Sequence, residues 1–405
     1  MTTIETTTAP MGPAAAGAIT ITNPAWAPAI GLLDRVRELA PDIEAAAPEG
    51  ERLRTMPPAL VERLRSAGCF RLALDPQLGG IGVDPVTFVE VIEAISRADG
   101  SAGWTTVIGS SGWFLNYLEP AAGATFCGPD GSRIGSGAFA PTGTATPDGH
   151  GGFVIDGRWA FNSGCVHADW HFVGVLVMDG DRPALRPDGR VDHRFAFVSD
   201  EDVTVIDTWD TIGLRGTGSH DLVVEGVRVP AEHLAAPLID DVSHASGPRA
   251  HIPFFAAMAV LMAGFPLGVG RRALDELEAR ATTSRSMAAT DLAHDPFVQV
   301  AVGRAEAQLR SARAWMLELA GDLARRAERG AEVPEVVVAE IELAFKACFE
   351  AARAAATAAY DCSGSGVVRE GDVIQRCLRD LLTASKHPAF GIDRWRSLAR
   401  LSLGA

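Results

Sequence analysis

His387 sits in the string RDLLTASKHPAF, residues 379–390, immediately before Pro388. An imidazole, with an unperturbed pKa of about 6.5, is poised for general acid–base work near neutral pH. At the end of a helix the same residue has a plainer use, because its cation complements the helix dipole. Three other strings carry groups that could do chemistry. HADWH, residues 167–171, would turn His167, Asp169 and His171 to one face if extended, as a strand presenting metal ligands does. The same alternation also suits the solvated side of a strand, and no further ligand cluster lies nearby, so no metal is expected. GLRGTGSHD, residues 213–221, places Thr217 and Ser219 among Gly213, Gly216 and Gly218. It offers N–H groups and hydroxyls to an anion or a polar ring edge, or serves simply as a connector. SGSG, residues 363–366, is either a phosphate-friendly loop or a helix break.

The missing motifs narrow the chemistry. Gly216-Thr217-Gly218 lacks the third glycine of a dinucleotide-binding turn, and neither a Walker loop nor a Gly-x-Ser-x-Gly elbow is present. A bound nicotinamide coenzyme and an esterase triad are therefore disfavoured.

The elements that must position these groups fall into three zones. Residues 27–125 read as helical: Asp84-Pro85 supplies a cap and a first-turn proline, and Phe88, Val91, Ile92 and Ile95 recur at helical spacing. Gly100 is expected to end that helix and Ser101 to cap the next, which carries Trp104, Val107 and Ile108. Residues 126–240 change period. Asp156-Gly157 between two apolar runs predicts a tight hairpin, and further strands are expected near 172–178, 194–198, 203–206 and 221–229. Short strands with Gly, Pro and Asp punctuation suggest a small barrel or sandwich, and none alternates with helices as in a parallel nucleotide-binding sheet. Residues 241–405 predict an antiparallel four-helix bundle, with Leu309, Met316, Leu319 and Leu323 on one stripe and a last helix over about 371–386. The fold class is thus α+β, ordered as helical domain, β-domain and helical bundle.

Composition agrees. At about 150 residues per domain, 405 residues make two or three domains. With 47% hydrophobic and 21% charged residues, the chain is an ordinary globular one. Asp and Glu number 51 against 36 Lys and Arg, and a net charge of −15 disfavours nucleic acid or an anionic membrane as partner. Cys69, Cys127, Cys165, Cys348, Cys362 and Cys377 form no Cys-x-x-Cys pair. Residues 1–26 are rich in Thr, Ala and Pro and read as a flexible tail without a secretion signal, so a cytoplasmic protein with free thiols is expected. Ile252–Gly270 has no charged side chain and could span a membrane, but Pro253, Gly264, Pro266, Gly268 and Gly270 favour a helix buried in the bundle.

Taken together, LGGIGVD (78–84), SRADGSAGW (96–104), GRWAFNSGCVHADW (157–170), WDTIGLRGTGSHD (209–221) and RCLRDLLTASKH (376–387) resemble the acyl-CoA dehydrogenase superfold. More narrowly they are similar to its class D flavin-dependent monooxygenases, the oxygenase components of two-component systems such as p-hydroxyphenylacetate hydroxylase. The resemblance covers about residues 27–390. It implies a homotetramer whose flavin lies between the β-domain and the bundle, with a neighbouring subunit completing the site. It implies that Phe161, Asn162 and Ser163 lie along the isoalloxazine, with Ser163 on its polar edge, that Arg285 meets the flavin phosphate, and that Ser363 and Ser365 lie near the phosphate or ribityl chain. Many relatives have Trp where Phe161 stands, and an active-site His in the stretch that here reads GSSGWF (109–114), so Trp113 is either a pocket wall or core.

His387 matches the histidine beside the reactive flavin carbon, so Ser163 and His387 are the implied catalytic pair. A separate reductase would supply reduced FMN or FAD, and molecular oxygen would hydroxylate an aromatic or phenolic small molecule through a hydroperoxyflavin. N- or S-oxygenation is an alternative. A dehydrogenase or oxidase on the same fold would need a carboxylate base; none lies between Leu381 and Ile392, although Glu350 is a candidate. A non-catalytic scaffold is the remaining alternative.

Overall fold

The computed structural model of the chain describes Trp26, residues 31–282, residues 291–391 and residues 393–404. The expected tail, Trp26 apart, and Arg285 lie outside the described residues. Five helices come first: α1 (Leu32–Leu53), α2 (Pro58–Ser66), α3 (Pro85–Ala98), α4 (Gly100–Gly109) and α5 (Pro120–Cys127). Asp84 caps α3 as its position predicts, its Oδ1 accepting the Val86 and Thr87 N–H groups at 2.9 and 3.1 Å. The next boundary differs from expectation. Asp99, in extended backbone, ends α3 and caps α4 itself, accepting the Ala102 N–H at 2.9 Å. Ser101 therefore lies inside α4, because the longer carboxylate two residues earlier already reaches the free N–H.

Eight strands follow: β1 (Gly135–Pro147), β2 (Gly152–Asn162), β3 (Trp170–Asp179), β4 (Arg182–Pro183), β5 (His193–Ser199), β6 (Thr204–Ile206), β7 (His220–Pro230) and β8 (Leu234–Ala235). They form one mixed sheet of order β6-β7-β2-β1-β3-β5-β8, with β4 on β3 and β1 parallel to β3. One face sends Trp170, Phe172, Phe195 and Phe197 into the main core against the helices. The other closes a smaller core of its own around Ile155, Trp159, Val173, Val175 and Val198. Two covered faces explain why strands this apolar read as a barrel or sandwich.

The Asp156-Gly157 hairpin does not form. β2 runs straight through both residues, and the turn instead joins β1 to β2, where Asp148 Oδ1 accepts the His150 and Gly152 N–H groups. Asp156 stands opposite a bulge in β7, accepting the N–H of Gly226, whose φ is +64°, at 2.7 Å. The turn-like dipeptide thus serves a bulge, which needs similar backbone freedom.

Among the described residues five α-helices follow: α6 (Phe254–Ala281), α7 (Pro296–Glu328), α8 (Glu335–Cys362), α9 (Val373–Ala384) and α10 (Asp393–Leu403). The sequence reading finds the first four and misses α10, a short helix with no buried residue. α6 is the helix long and apolar enough to cross a membrane, and most of its apolar stretch is buried inside the protein. Its glycines explain how: a Cβ on Gly264 would sit 2.5 Å from the Val89 carbonyl oxygen and one on Gly268 2.3 Å from that of Glu93. These residues let α6 lie directly on α3.

α9 ties the bundle to the loop before β7. Asp380 Oδ1 accepts the Leu214 N–H at 2.6 Å. A Cβ on Gly213 would lie 2.2 Å from the Arg379 carbonyl oxygen, so only glycine lets the loop approach this closely. Asp380, Asp99 and Arg376 are all buried, with Arg376 Nε 3.7 Å from Asp99 Oδ1. Burial, reinforced by the charge of Asp99, pushes the Asp380 carboxyl up to about 7. Because this folded-state value exceeds the unfolded one, the folded chain holds the extra proton, and stability falls as pH rises from about 4 to about 7. Asp380→Asn keeps an acceptor for Leu214 and removes the charge, so the variant should gain stability relative to wild type across that range. Asp380→Ala strands the N–H and should lose roughly 3 kcal/mol. Thermal unfolding at several pH values checks both.

Candidate active site

β2 ends in a second bulge. Between the pairs Trp159↔Leu222 and Asn162↔His220 it carries one residue more than β7, and Phe161 takes up the excess with φ +67°. A bulky side chain in the left-handed region costs on the order of 1–3 kcal/mol. Its ring is nevertheless 72% exposed, meeting only the edge of Trp209 at 6.3 Å between centroids. The bulge thus holds a large apolar side chain in solvent on a strained backbone.

The two residues after Phe161 turn inward. Asn162 is fully buried; its amide donates to the Trp159 carbonyl at 2.7 Å, and its Oδ1 has no partner. Its side chain belongs to the sheet and holds the bulge. Ser163 begins a chain of hydrogen bonds. Trp104 Nε1, on α4, donates to Ser163 Oγ at 2.9 Å, and the Ser163, Ser219 and Thr217 hydroxyls follow one another at 2.7 Å steps. Thr217 Oγ1 ends the chain by donating to the Leu214 carbonyl at 2.8 Å. This is the same Leu214 whose N–H Asp380 holds, and Trp209 Nε1 donates to the same carbonyl at 2.9 Å. The hydroxyls of the GLRGTGSHD loop therefore face Ser163 and the protein interior.

His387 stands on the other side of Trp104, with ring centroids 5.4 Å apart and planes 77° apart. It caps the short turn Pro388–Phe390, its Nδ1 accepting the Ala389 N–H at 3.2 Å. Phe390 anchors that turn on α8, its ring centroid 4.2 Å from that of Phe349 with the planes tilted by 30°, while Lys346 Nζ donates to its carbonyl at 2.8 Å. His387 is half-buried, and burial pushes the imidazole pKa down to about 4. The imidazole is thus neutral at pH 7, and with Nδ1 occupied as an acceptor its proton sits on Nε2. A cation serving the helix dipole is ruled out by the same observation.

The remaining candidates are dispersed. His167 meets Thr55 Oγ1 at 3.0 Å, Asp169 pairs with Arg65 at 3.1 Å, and His171 meets Asp200 at 3.0 Å. β3 starts only at Trp170, so the three side chains share no face, and no metal-sized cluster occurs among the described residues. Ser363 Oγ bonds back to the Ala359 carbonyl at 2.7 Å, ending α8, whereas Ser365 is exposed. Trp113 is a core residue. It packs 4.2 Å from Phe114 and 5.2 Å from Phe254, and it lines a cavity of about 70 Å³ with Asn116, Tyr117, Val260 and Leu261. Glu350, the alternative base, is raised by burial, but Lys346 at 2.8 Å and Arg353 at 2.7 Å outweigh this and hold it low.

Sequence reasoning treated Trp104 only as an apolar helix residue. The usable signal was its polar handle: a buried indole N–H needs an acceptor, and a helix otherwise built of small residues offers none.

The structure as described fits a flavin. The exposed Phe161 ring offers an apolar face, Ser163 a polar contact beside it, and His387 a neutral N–H donor. The His387 titration is directly checkable. Its folded-state value lies below the unfolded one, so the unfolded chain takes the proton first, and stability is lost as pH falls from about 6.5 to about 4. His387→Gln should remove that loss, narrowing its stability gap to wild type over this interval in pH-dependent unfolding curves.

Comparison with known proteins follows the same lines. Residues 31–119 match the family model described as acyl-CoA dehydrogenase, N-terminal domain, and residues 260–391 that of the acyl-CoA dehydrogenase C-terminal domain. The chain is 32% identical over 378 residues to indole-3-acetate monooxygenase of Pseudomonas putida, covering 92% of each. It is 30% identical over 383 residues to the oxygenase subunit HsaA of a flavin-dependent monooxygenase from Rhodococcus jostii, covering 89% of this chain and 95% of that one. The crystal structure of 3-HSA hydroxylase from Rhodococcus sp. RHA1 superposes with a TM-score of 0.85 at 26% identity, over 92% of this chain and 97% of that one. A relative this similar over nearly its whole length, on the fold and site just described, makes the chain a member of the flavin-dependent monooxygenase oxygenase components built on the acyl-CoA dehydrogenase fold.

Proposed function

We propose that the chain hydroxylates an aromatic or phenolic small molecule, using molecular oxygen and reduced FMN or FAD brought by a separate reductase. The observation that carries this is the position of Trp104, which binds Ser163 through its N–H and His387 through its ring, beside the exposed Phe161. The relative from Pseudomonas putida acts on indole-3-acetate, an aromatic ring system of comparable flatness.

When bound, reduced flavin supplies the two electrons with which one atom of oxygen enters the substrate and the other leaves as water. The protein's own groups do the rest. Phe161 stacks on the flat ring, and Ser163 fixes its polar edge. His387 holds a proton at Nε2 and offers it as a hydrogen bond to oxygen or to a substrate hydroxyl. In this reading it is a donor and not a base, since Nδ1 is taken by Ala389 and burial disfavours the imidazolium. Trp113 is assigned to the apolar side of the substrate space. The low carboxylate of Glu350 weighs against a dehydrogenase.

Phe297, Val300 and Leu403 are large, apolar and exposed, which supports burial between subunits of a homotetramer, as do the exposed Val368 and Ser365 near a site that a neighbour completes. Arg285, Ser363 and Ser365 are assigned to the phosphate end of the flavin, and the protein to the cytoplasm.

Anaerobic protein with reduced flavin, then mixed with oxygen and phenolic or indolic substrates, should yield hydroxylated product. Peroxide alone, with every such substrate, would count against hydroxylation. His387→Ala should keep reduced-flavin affinity within a few-fold while diverting oxygen to hydrogen peroxide, measured as product formed per oxygen consumed. Phe161→Gly should raise the stability of the free protein by about 1 kcal/mol through relief of strain, yet weaken flavin binding. Unfolding and flavin titration of the same variant separate the two effects.

A further inference from the structure

The proton positions in the hydroxyl chain are determined by its far end. The Leu214 carbonyl can only accept, so the single Thr217 hydroxyl proton is spent on it. Ser219, 2.7 Å from Thr217, must then donate to Thr217, and Ser163, 2.7 Å from Ser219, must donate to Ser219. Trp104 Nε1 can only donate, and it does so to Ser163. Every hydroxyl proton thus points away from Ser163 toward Leu214. Ser163 Oγ is left with one free lone pair and no proton to give. All three hydroxyl residues are buried, so no solvent competes to reverse the chain.

This polarity matters for a flavin because the two redox states differ at one edge atom. Reduced flavin carries a hydrogen on N5, whereas oxidised flavin presents a bare lone pair there. We infer that Thr217 and Ser219 are positioning residues that lock Ser163 as a hydrogen-bond acceptor, so that the site selects reduced over oxidised flavin through N5–H. The inference rests on the reading above that a flavin edge faces Ser163. An acceptor meets the N5–H of the reduced form with a hydrogen bond. It meets oxidised N5 with two opposed lone pairs, in a buried site where an unmade bond is costly. The oxygenase thereby takes up the form that its reductase makes and releases the spent form, without any movement of the backbone. Asp380 enters the same device at one remove, because it fixes the Leu214 peptide whose carbonyl sets the direction of the chain.

The test is the ratio of dissociation constants for oxidised and reduced flavin, measured on the full chain by fluorescence titration in air and under anaerobic conditions with FMN and FAD. Wild type should favour the reduced form by at least about tenfold, equivalent to a bound-flavin potential about 30 mV above that of free flavin. Ser219→Ala leaves Ser163 free to turn its proton toward the ligand, and should lower the ratio by about fivefold or more. Thr217→Val releases the chain at its end and should do the same, whereas Thr217→Ser keeps the direction and should keep the ratio. Because the two Thr217 variants differ in the hydroxyl alone among polar groups, they decide the matter even if Ser219→Ala folds poorly. Flavin binding with a ratio near one in wild type, or a ratio indifferent to Thr217→Val, overturns the inference while leaving the flavin site standing. Failure of wild type to bind either form overturns both.

Discussion

The Leu214 peptide is the joint on which the site depends. Its N–H is held by a buried carboxylate from α9 and its carbonyl by an indole and a hydroxyl from the loop and sheet side. Both ends are satisfied inside the protein, so the left-handed backbone of Leu214, with φ +52°, is over-determined and stays in place. From there rigid contacts run through Thr217, Ser219 and Ser163 to Trp104, and through Trp104 to His387. Asp380 and His387 lie seven residues apart at the two ends of this circuit, on α9 and the turn that follows it. One short helix therefore sets both the loop that orients Ser163 and the imidazole opposite.

This arrangement carries a buried cluster of two carboxylates and one guanidinium. A buried triad of that composition is not a source of stability by itself, because desolvating three charges offsets most of their attraction. Its use here is directional: a carboxylate aimed at one peptide N–H specifies where the loop sits, which an apolar contact of equal area would not. The raised Asp380 and lowered His387 show the cost of that burial in opposite senses, one carboxyl tending to keep its proton and one imidazole refusing it. Near pH 7 the imidazole is therefore neutral, while Asp380 is only partly ionised.

Phe161 shows a second kind of cost. The bulge that ends β2 needs a left-handed residue, where glycine would be relaxed, and the chain places an exposed phenylalanine there. Among the described residues its one aromatic neighbour is Trp209, met edge-on. Asn162, the next residue, pulls in the opposite direction by burying its amide under the bulge.

Much of this was legible in the residues themselves. The change from helical to alternating period, the cap at Asp84 and the buried character of α6 follow from local pattern, whereas Phe161 and Ser163 are singled out only by the family resemblance of their motifs. Local chemistry misled where one dipeptide serves two geometries: Asp156-Gly157 suits a hairpin turn and equally a strand facing a bulge, and only the partner strand decides. It misled at HADWH for the same reason, since a shared face presupposes a strand that in fact begins three residues later than His167. The bond from Asp380 to Leu214 joins residues 166 apart, the hydroxyl chain links Ser163 to partners 56 and 59 residues away, and the neutral state of His387 rests on a burial that no window of sequence contains, so all three were beyond reach. The sequence by itself determined which groups are present and what elements carry them. Tertiary structure decided which of them can donate, which can only accept and which are charged, because those properties arise from neighbours in space and from the loss of water around them.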